Sequence, residues 1–431
     1  MSNLNITIKY SRYLNSISFL PKIGCYFIGD FSAAVNLMQA HNRDKKRVVV
    51  LDFSMVIHCY STGMLPIIAT VNRLFNQGYQ FEIQMPGNPS LASLFIRTNW
   101  AHFLCPDHYP LVMGVEKHLH TRNFKNNEDI NRLTLDFMDL ILRTMVVPKD
   151  IISGLEWSIY EICDNVINHA NTPFGGFIES IIFPKEARVG FTIADGGNGI
   201  LNSMIGQFPG LIKSTDAIER ALEFGVTGTG EKGRGNGMAG TKQITVMSGG
   251  SIDIISGAGR LYVTPGGLVK KEQGPDFFFQ GTNVSGGILM NKEFSIGKAI
   301  FVYGKAAQPD DLIVFSHEDP DEDAYVLKIK NEATGVGTRV AGKQMYTKVI
   351  NLLSKNPDYG LRIDWSGIEV ISHSFADEFI ARLYDLKGKL WFDQHVKHLH
   401  IAPLVTKLLS YAIVLRKEVK ITGSMINADM N

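Results

Sequence analysis

The 431-residue chain is short of several things, and each shortage removes a class of function. It has four cysteines, Cys25, Cys59, Cys105 and Cys163, scattered with no CxxC spacing. That excludes a disulfide framework and fits reduced thiols in a cytoplasmic protein. No stretch of about 18 uncharged apolar residues occurs, so no membrane span is expected. The opening residues, MSNLNITIKYSRY, lack the apolar core of a signal peptide. Neither sign of charge dominates: 43 Lys and Arg stand against 42 Asp and Glu, for a net charge of +1. Nothing in that balance argues for nucleic acid or an anionic membrane as the main partner. No GK pair is followed by Ser or Thr, which excludes a standard P-loop. The GxGxxG match from Gly228 to Gly233 has no clear strand before it, which counts against a Rossmann site.

What is present begins with enough chain for about three domains. Residues 20–110 read as alternating strands and helices: a buried strand from Arg47 to Phe53, a helix around Met64 to Phe75, and an alternating strand from Tyr79 to Met85. Asn127 to Met145 has helical periodicity and leads through Pro148 into a second helix over Ile152 to Ala170. From Gly175 to Gly287 the pattern turns β-rich, with strands at Val189–Ile193, Ser251–Ile255 and Arg260–Val263. Asn202 to Arg234 fits a lid, and the acidic stretch Gln308 to Asp323 fits a linker or solvated edge. The last third repeats a theme from the first. Leu51-Asp52-Phe53-Ser54 has a counterpart in Ile363-Asp364-Trp365-Ser366, and ten residues after each Asp comes Thr62 or Ser374 at a probable helix start.

Three islands carry the chemistry. On the helix of Ile152 to Ala170, Glu161, Asn165, Asn168 and His169 fall within roughly a 100° arc, while Leu155, Ile159, Ile162 and Val166 form a separate apolar seam. Asn165 can offer Mg²⁺ a hard carbonyl oxygen, and Glu161 can accept a proton during phosphoryl transfer. An amphipathic helix with its polar side in solvent is the simpler alternative. The second island is Asp195-Gly-Gly-Asn-Gly199 at the end of an apolar strand, where a carboxylate needs a donor such as an adenine amino group. Gly197 and Gly199 would let ligand and backbone approach closely, although an Asx turn would explain the same residues. The third, Gly233-Arg-Gly-Asn-Gly237, runs into a possible helix whose free N–H groups suit phosphate, with Lys232 and Arg234 adding charge and Gly235 and Gly237 giving room. A flexible loop would also account for it.

Taken in order with Gly281-Thr282, these islands resemble the N, G1, G2 and G3 boxes of the GHKL (Bergerat-fold) ATP-binding superfamily, over about residues 130–290. The sequence through Asn168-His169-Ala170 is most similar to the serine kinase and histidine kinase branches. The resemblance implies Glu161 as base, Asn165 as metal ligand, Asp195 as adenine reader, Gly199 lining the base pocket, Gly235 and Gly237 on phosphate, and Thr282 supporting the adenine end. No phosphoacceptor His-Glu dimerisation helix precedes the site, which argues against a histidine kinase.

Residues 20–110 resemble the STAS domain of anti-sigma-factor antagonists, with Tyr60-Ser61-Thr62-Gly63 where that family carries Asp-Ser-Ser-Gly. Residues 325–425 resemble a STAS-like domain found beside GHKL ATPases, through Gly337-Thr-Arg339 and Ser372-His-Ser374-Phe-Ala-Asp377-Glu378. Thr62 and Ser374 are thus candidate phosphoacceptors. Helix capping is the competing explanation for both, with Ser374 and Asp377 as a capping box. The expected architecture is α/β, an α+β sandwich: a STAS-like domain over 1–125, a GHKL domain over 126–295, a linker or edge over 296–324, and a second STAS-like domain over 325–431. The expected cofactors are ATP and Mg²⁺. The expected partner is a protein, STAS-type or sigma-factor-like, and a homodimer is left open. Serine/threonine kinase-like partner switching is the first functional expectation. An ATPase clamp and a nucleotide-gated scaffold in signalling, stress response or phage defence are the others. Histidines at His118, His120, His395, His398 and His400 are read as surface strand residues rather than ligands.

Overall fold

The first strands are the most local. β1 (Ile8–Ser11) and β2 (Ser16–Phe19) pair antiparallel around Asn15, whose left-handed backbone (φ +48°) suits a tight reversal. β3 (Val48–Asp52) and β4 (Gln80–Gln84) add to β2 in parallel, giving the order β1-β2-β3-β4. The structure, a computed structural model, describes residues 8–42, 48–113, 119–226, 236–274, 277–302, 305–306 and 311–428. It is a mixed α/β protein with several sheets. No helix among the described residues is long and apolar enough to cross a membrane.

The chain divides into two compact units, Met1–Phe137 with Ser153–Pro309, and Met138–Ile152 with Asp310–Asn431. In the first unit, helices α1 (Ile28–His41), α2 (Ser61–Asn76), α3 (Pro89–Arg97) and α4 (Trp100–Leu104) accompany the four-stranded sheet. A seven-stranded sheet follows, built from β5 (Leu119–Phe124), β6 (Gly176–Phe183), β7 (Arg188–Asp195), β8 (Ser251–Gly257), β9 (Gly259–Thr264), β10 (Gly267–Glu272) and β11 (Phe279–Leu289). Its order is β10-β9-β8-β11-β7-β6-β5, every neighbouring pair antiparallel. Helix α5 (Asn127–Thr144) up to Phe137 and α6 (Lys149–His169) from Ser153 on belong to this unit, as do α7 (Gly199–Met204), α8 (Ser214–Ala221) and α9 (Gly237–Met247).

Side-chain alternation assigns the two faces of the large sheet. Thr192 and Ala194 of β7 face α2: Ser61 Oγ lies 3.2 Å from Thr192 Oγ1, and Ala194 shares one apolar core with Leu65, Ile68, Phe103 and Phe177. Ile193 and Asp195 therefore point to the opposite face. A buried carboxylate fixes the first side further. Glu179 of β6 accepts hydrogen bonds from Trp100 Nε1 (2.7 Å) and Thr121 Oγ1 (2.6 Å), and burial raises its pKa to about 7. The segment expected to form a STAS-like domain is thus packed into the same unit as the β-rich region.

The second unit has three parallel strands, β12 (Ala324–Lys328), β13 (Gly360–Asp364) and β14 (Val396–Leu399), in that order. Its helices include α10 (Arg339–Lys355), α11 (His373–Ala376) and α12 (Pro403–Ala428). The acidic stretch read as a linker contains a short helix, Leu312–Phe315, with Ile313 and Val314 buried.

The two copies of the Asp-aromatic-Ser theme are built alike. Asp52 Oδ1 accepts from Ser54 N–H at 2.9 Å, and Asp364 Oδ1 accepts from Ser366 N–H at 2.9 Å. Phe53 and Trp365 are fully buried, and Thr62 and Ser374 are each the second residue of the helix that follows. The capping reading fails at both positions. Tyr60 stands at the start of α2 with no side-chain cap, and the cap of α11 is Ser372 Oγ, which accepts from Phe375 N–H at 3.0 Å. Ser374 Oγ instead lies 3.1 Å from Ser372 Oγ.

Candidate nucleotide site

Helix α6 supplies the first wall. Leu155, Ile159, Ile162 and Val166 are buried along one seam, which leaves Glu161 and Asn165 half-buried on another. Antiparallel to it runs α9, and small residues bring the two together. A Cβ at Gly154 would come 3.1 Å from Ile244 Cγ2, one at Gly240 would overlap the Trp157 ring, and one at Gly237 would overlap Glu161 Oε2. Gly237, from the third island, therefore lies directly on the Glu161 carboxylate.

The other end of α6 meets the second island. Asn198 N–H donates to Ala170 O at 2.8 Å, and a Cβ at Gly197 would overlap that same carbonyl. One helix is thus contacted by Gly237 at Glu161 and by Gly197 just past its end. The nine residues between Glu161 and Ala170 span about 13 Å at 1.5 Å per residue.

Asp195 closes β7, paired with Gly176 on one side and Thr282 on the other. It is 2% exposed, and its Oδ1 accepts from Gly197 N–H at 2.8 Å. Burial pushes its pKa to about 7, against the opposing pull of hydrogen bonds from the Gly197 and Thr282 amides. A carboxylate has about four lone-pair sites, so two amides leave acceptor capacity for a further donor.

A residue absent from the sequence reading ties the loop to the GT pair. Ser256 Oγ of β8 accepts from Ile200 N–H (2.9 Å), donates to Gly281 O (2.9 Å) and lies 3.2 Å from Thr282 Oγ1. Gly199 sits against it with φ +74°, a backbone conformation that favours glycine. No local pattern singles out one serine in a strand for that task. Its role depends on three segments meeting.

Glu161 is shifted in the direction a base near neutrality requires. Burial first, and the neighbouring Asp164 second, raise its pKa to about 7. One turn further on, Asn165 Nδ2 is buried without a hydrogen-bond partner among the described residues. Such a donor costs about 1–3 kcal/mol unless something accepts from it, and a phosphate oxygen would. Asn165 Oδ1 is the oxygen this helix could offer Mg²⁺. Among the described residues no cluster of three or more His, Cys, Asp or Glu could hold a metal. Magnesium that keeps waters and takes substrate phosphates does not need one.

The remaining expected residues are placed differently. Asn168 is exposed, with Nδ2 donating to Asp164 Oδ2 at 2.7 Å, and His169 is the last residue of α6, half-buried. Lys232, Gly233, Arg234 and Gly235 lie outside the described residues, as do His118 and the GxGxxG match. Thr62 is half-buried beside Ser61, on the α2 side of the sheet and not the Asp195 side. Ser374 belongs to the second unit. His398 Nδ1 is 3.0 Å from Trp365 Nε1, and burial lowers its pKa to about 4, so it serves as a packed strand residue. Comparison with protein-family models, curated proteins and solved structures finds no match for this chain.

Proposed function

We propose that the first unit binds ATP·Mg²⁺ in the manner of GHKL proteins and acts as a regulatory, serine/threonine kinase-like factor on STAS-type domains. The observation that carries the reading is the double contact on α6: Gly237 against Glu161, and Gly197 against Ala170 beside buried Asp195. In this reading Asp195 receives the adenine amino group, and Thr282 and Ser256 hold that end in place. Asn165 Nδ2 donates to phosphate while its Oδ1 holds the metal, which would offset phosphate charge. Glu161 takes the proton of an attacking hydroxyl as its oxygen bonds to the γ-phosphorus and ADP departs.

Thr62 lies on the other side of the sheet from Asp195, so the acceptor in this proposal is not that residue in the arrangement described. A STAS-type partner, or Ser374, is the hydroxyl to test. Water as the acceptor is the alternative, the ATPase-clamp reading.

The test is incubation of the full chain with γ-labelled ATP, alone and with a STAS-type protein. Label on protein, lost in Glu161→Ala while ATP binding persists, supports the kinase reading. Phosphate release without labelled protein selects the clamp, and binding without turnover selects a nucleotide-gated scaffold. No ATP·Mg²⁺-dependent thermal shift in the wild type, or an equal shift with GTP, overturns the nucleotide site itself. Ligand at 100 times Kd should add about 2.7 kcal/mol to the unit that binds it.

A further inference from the structure

The large sheet ends at β10, and no described strand pairs with the outer side of that strand. All six of its residues are exposed, Val269 at 65%. One hydrogen bond sets which way its backbone points. Gln273 N–H donates to Ala258 O at 2.9 Å, one step beyond the Gly259–Glu272 pair of the β9–β10 ladder. Bonded and non-bonded pairs alternate along an antiparallel ladder. Lys271, Val269 and Gly267 therefore bond to β9, while Leu268, Lys270 and Glu272 turn their N–H and C=O groups outward. None of those outward groups has a backbone partner among the described residues. Such a row of donors and acceptors is a template for another strand.

The two faces beside this edge differ. On one, Glu272 accepts from the N–H groups of Ser214 (3.1 Å) and Thr215 (2.7 Å), and Lys270 Nζ lies 2.8 Å from Glu219 Oε2, so both side chains hold α8. On the other, Val269 stands beside Tyr262, which is 40% exposed, and the two make an apolar row. In the next row Lys271 stands beside Arg260, whose guanidinium is bonded through two nitrogens to Asp253. Lys271 itself is exposed and makes no ion pair among the described residues. A second copy of β10 suits this edge badly: the antiparallel register that uses every outward residue sets Lys270 directly opposite its own counterpart, and like charges so placed repel.

We propose that β10 is a docking edge for an extended segment of a partner protein, which adds as a further strand. Main-chain bonds to Leu268, Lys270 and Glu272 hold it, an apolar residue lies in the Val269–Tyr262 row, and a carboxylate two residues away meets Lys271. β10 carries none of the residues of the nucleotide reading, so the two stand or fall separately.

The test titrates the full chain into the fluorescein-labelled peptide Thr-Val-Thr-Glu-Thr-Val-Thr, whose pattern reads the same in either direction. Anisotropy should saturate below about 1 mM. Replacing the peptide's Glu by Gln should weaken binding roughly fivefold, and Lys271→Glu should weaken the Glu peptide by at least as much while leaving the Gln peptide unchanged. Leu268→Pro removes an outward N–H and spares the β9 ladder, so it should abolish binding with little change in thermal midpoint. Lys271→Glu keeps the test decisive if that proline impairs folding. Amide exchange followed by NMR should slow on binding at Leu268, Lys270 and Glu272 and stay as it was at Val269 and Lys271. No saturation, equal binding of a peptide N-methylated at alternate residues, or protection that spares β10 overturns the proposal. Self-association of the chain that is lost in Leu268→Pro also overturns it, by giving the edge to a second copy. Asp195→Asn should bind the peptide like the wild type whatever it does to ATP.

Discussion

Glu161 Oε2 occupies the place where a Cβ on residue 237 would have to sit. Glycine at the start of α9 is thereby required by a side chain on α6, and the requirement can be tested. In Gly237→Ala the carboxylate must swing away, because its Cβ and Cδ would also be only 3.1 Å from the new methyl. Overlap of that kind costs about 1–3 kcal/mol, and alanine's better helix propensity returns about 1 kcal/mol. The thermal midpoint should therefore move by only a few degrees. Phosphoryl transfer or hydrolysis should fall by roughly 10²-fold, the scale of a displaced general base. Steady-state turnover and calorimetry on the same sample check both parts.

Gly197 makes a harsher demand, since the atoms in its way are the Ala170 carbonyl carbon and oxygen, which belong to backbone and cannot swing aside. Gly197→Ala should destabilise the first unit by about 2–3 kcal/mol, a fall of roughly 4–12 °C for a large domain. Gly206→Ala, with nothing within 4 Å of the added methyl, is the control and should melt like the wild type. Equal midpoints for the two variants would show that the α6–loop junction is looser than described.

The parts of this architecture written in short-range pattern were legible in the sequence. The seam of Leu155, Ile159, Ile162 and Val166 has helical period, and Val189 to Ile193 reads as a strand because β-branched and aromatic residues (Val189, Phe191, Thr192 and Ile193) cluster just before Asp195. The Asp52 and Asp364 themes could be matched because each is a strand end, a buried ring and a turn within four residues. What could not be read joins distant segments. Ser256 gains its role from residues 200 and 281, and α2 reaches the sheet through Ser61 and Thr192, 131 positions apart. The cap of α11 was misplaced by two residues because Ser372 and Ser374 are chemically equivalent until backbone geometry chooses between them.

Asp195 predicts a pH dependence with a definite sign. Its pKa is about 7 in the folded chain against the ordinary 3.8, so between about pH 4 and 7 the folded state holds a proton the unfolded state has released. Stability from this group is therefore greatest below pH 4 and declines as pH rises through 7. Asp195→Asn should flatten that part of the profile of thermal midpoint against pH. ATP binding should run the other way, because the ionised carboxylate is the better acceptor for an amino group. Affinity should be about tenfold weaker at pH 6 than at pH 8. Anisotropy of a fluorescent ATP analogue checks this, and a slope that survives in Asp195→Asn assigns it to another group.

The second unit contains a lysine that makes sense only as part of a cluster. Lys348 of α10 is 1% exposed, with Nζ 2.5 Å from Asp139 Oδ1 and also bonded to Glu332, while Asp139 pairs with Arg143 as well. Burial pushes Glu332 up, but hydrogen bonds and charge from His317 and Lys348 outweigh it and bring its pKa to about 2. Lys348→Met would leave Glu332 without its nearest cation and should cost about 3–5 kcal/mol. Removing the stranded charge as well, in Lys348→Met with Glu332→Gln, should recover most of that loss, because Asp139 keeps Arg143. Hydrogen exchange over Arg339–Lys355 localises the effect to this unit. If the double variant is no more stable than Lys348→Met alone, the lysine contributes through the packing of its stem and not through charge.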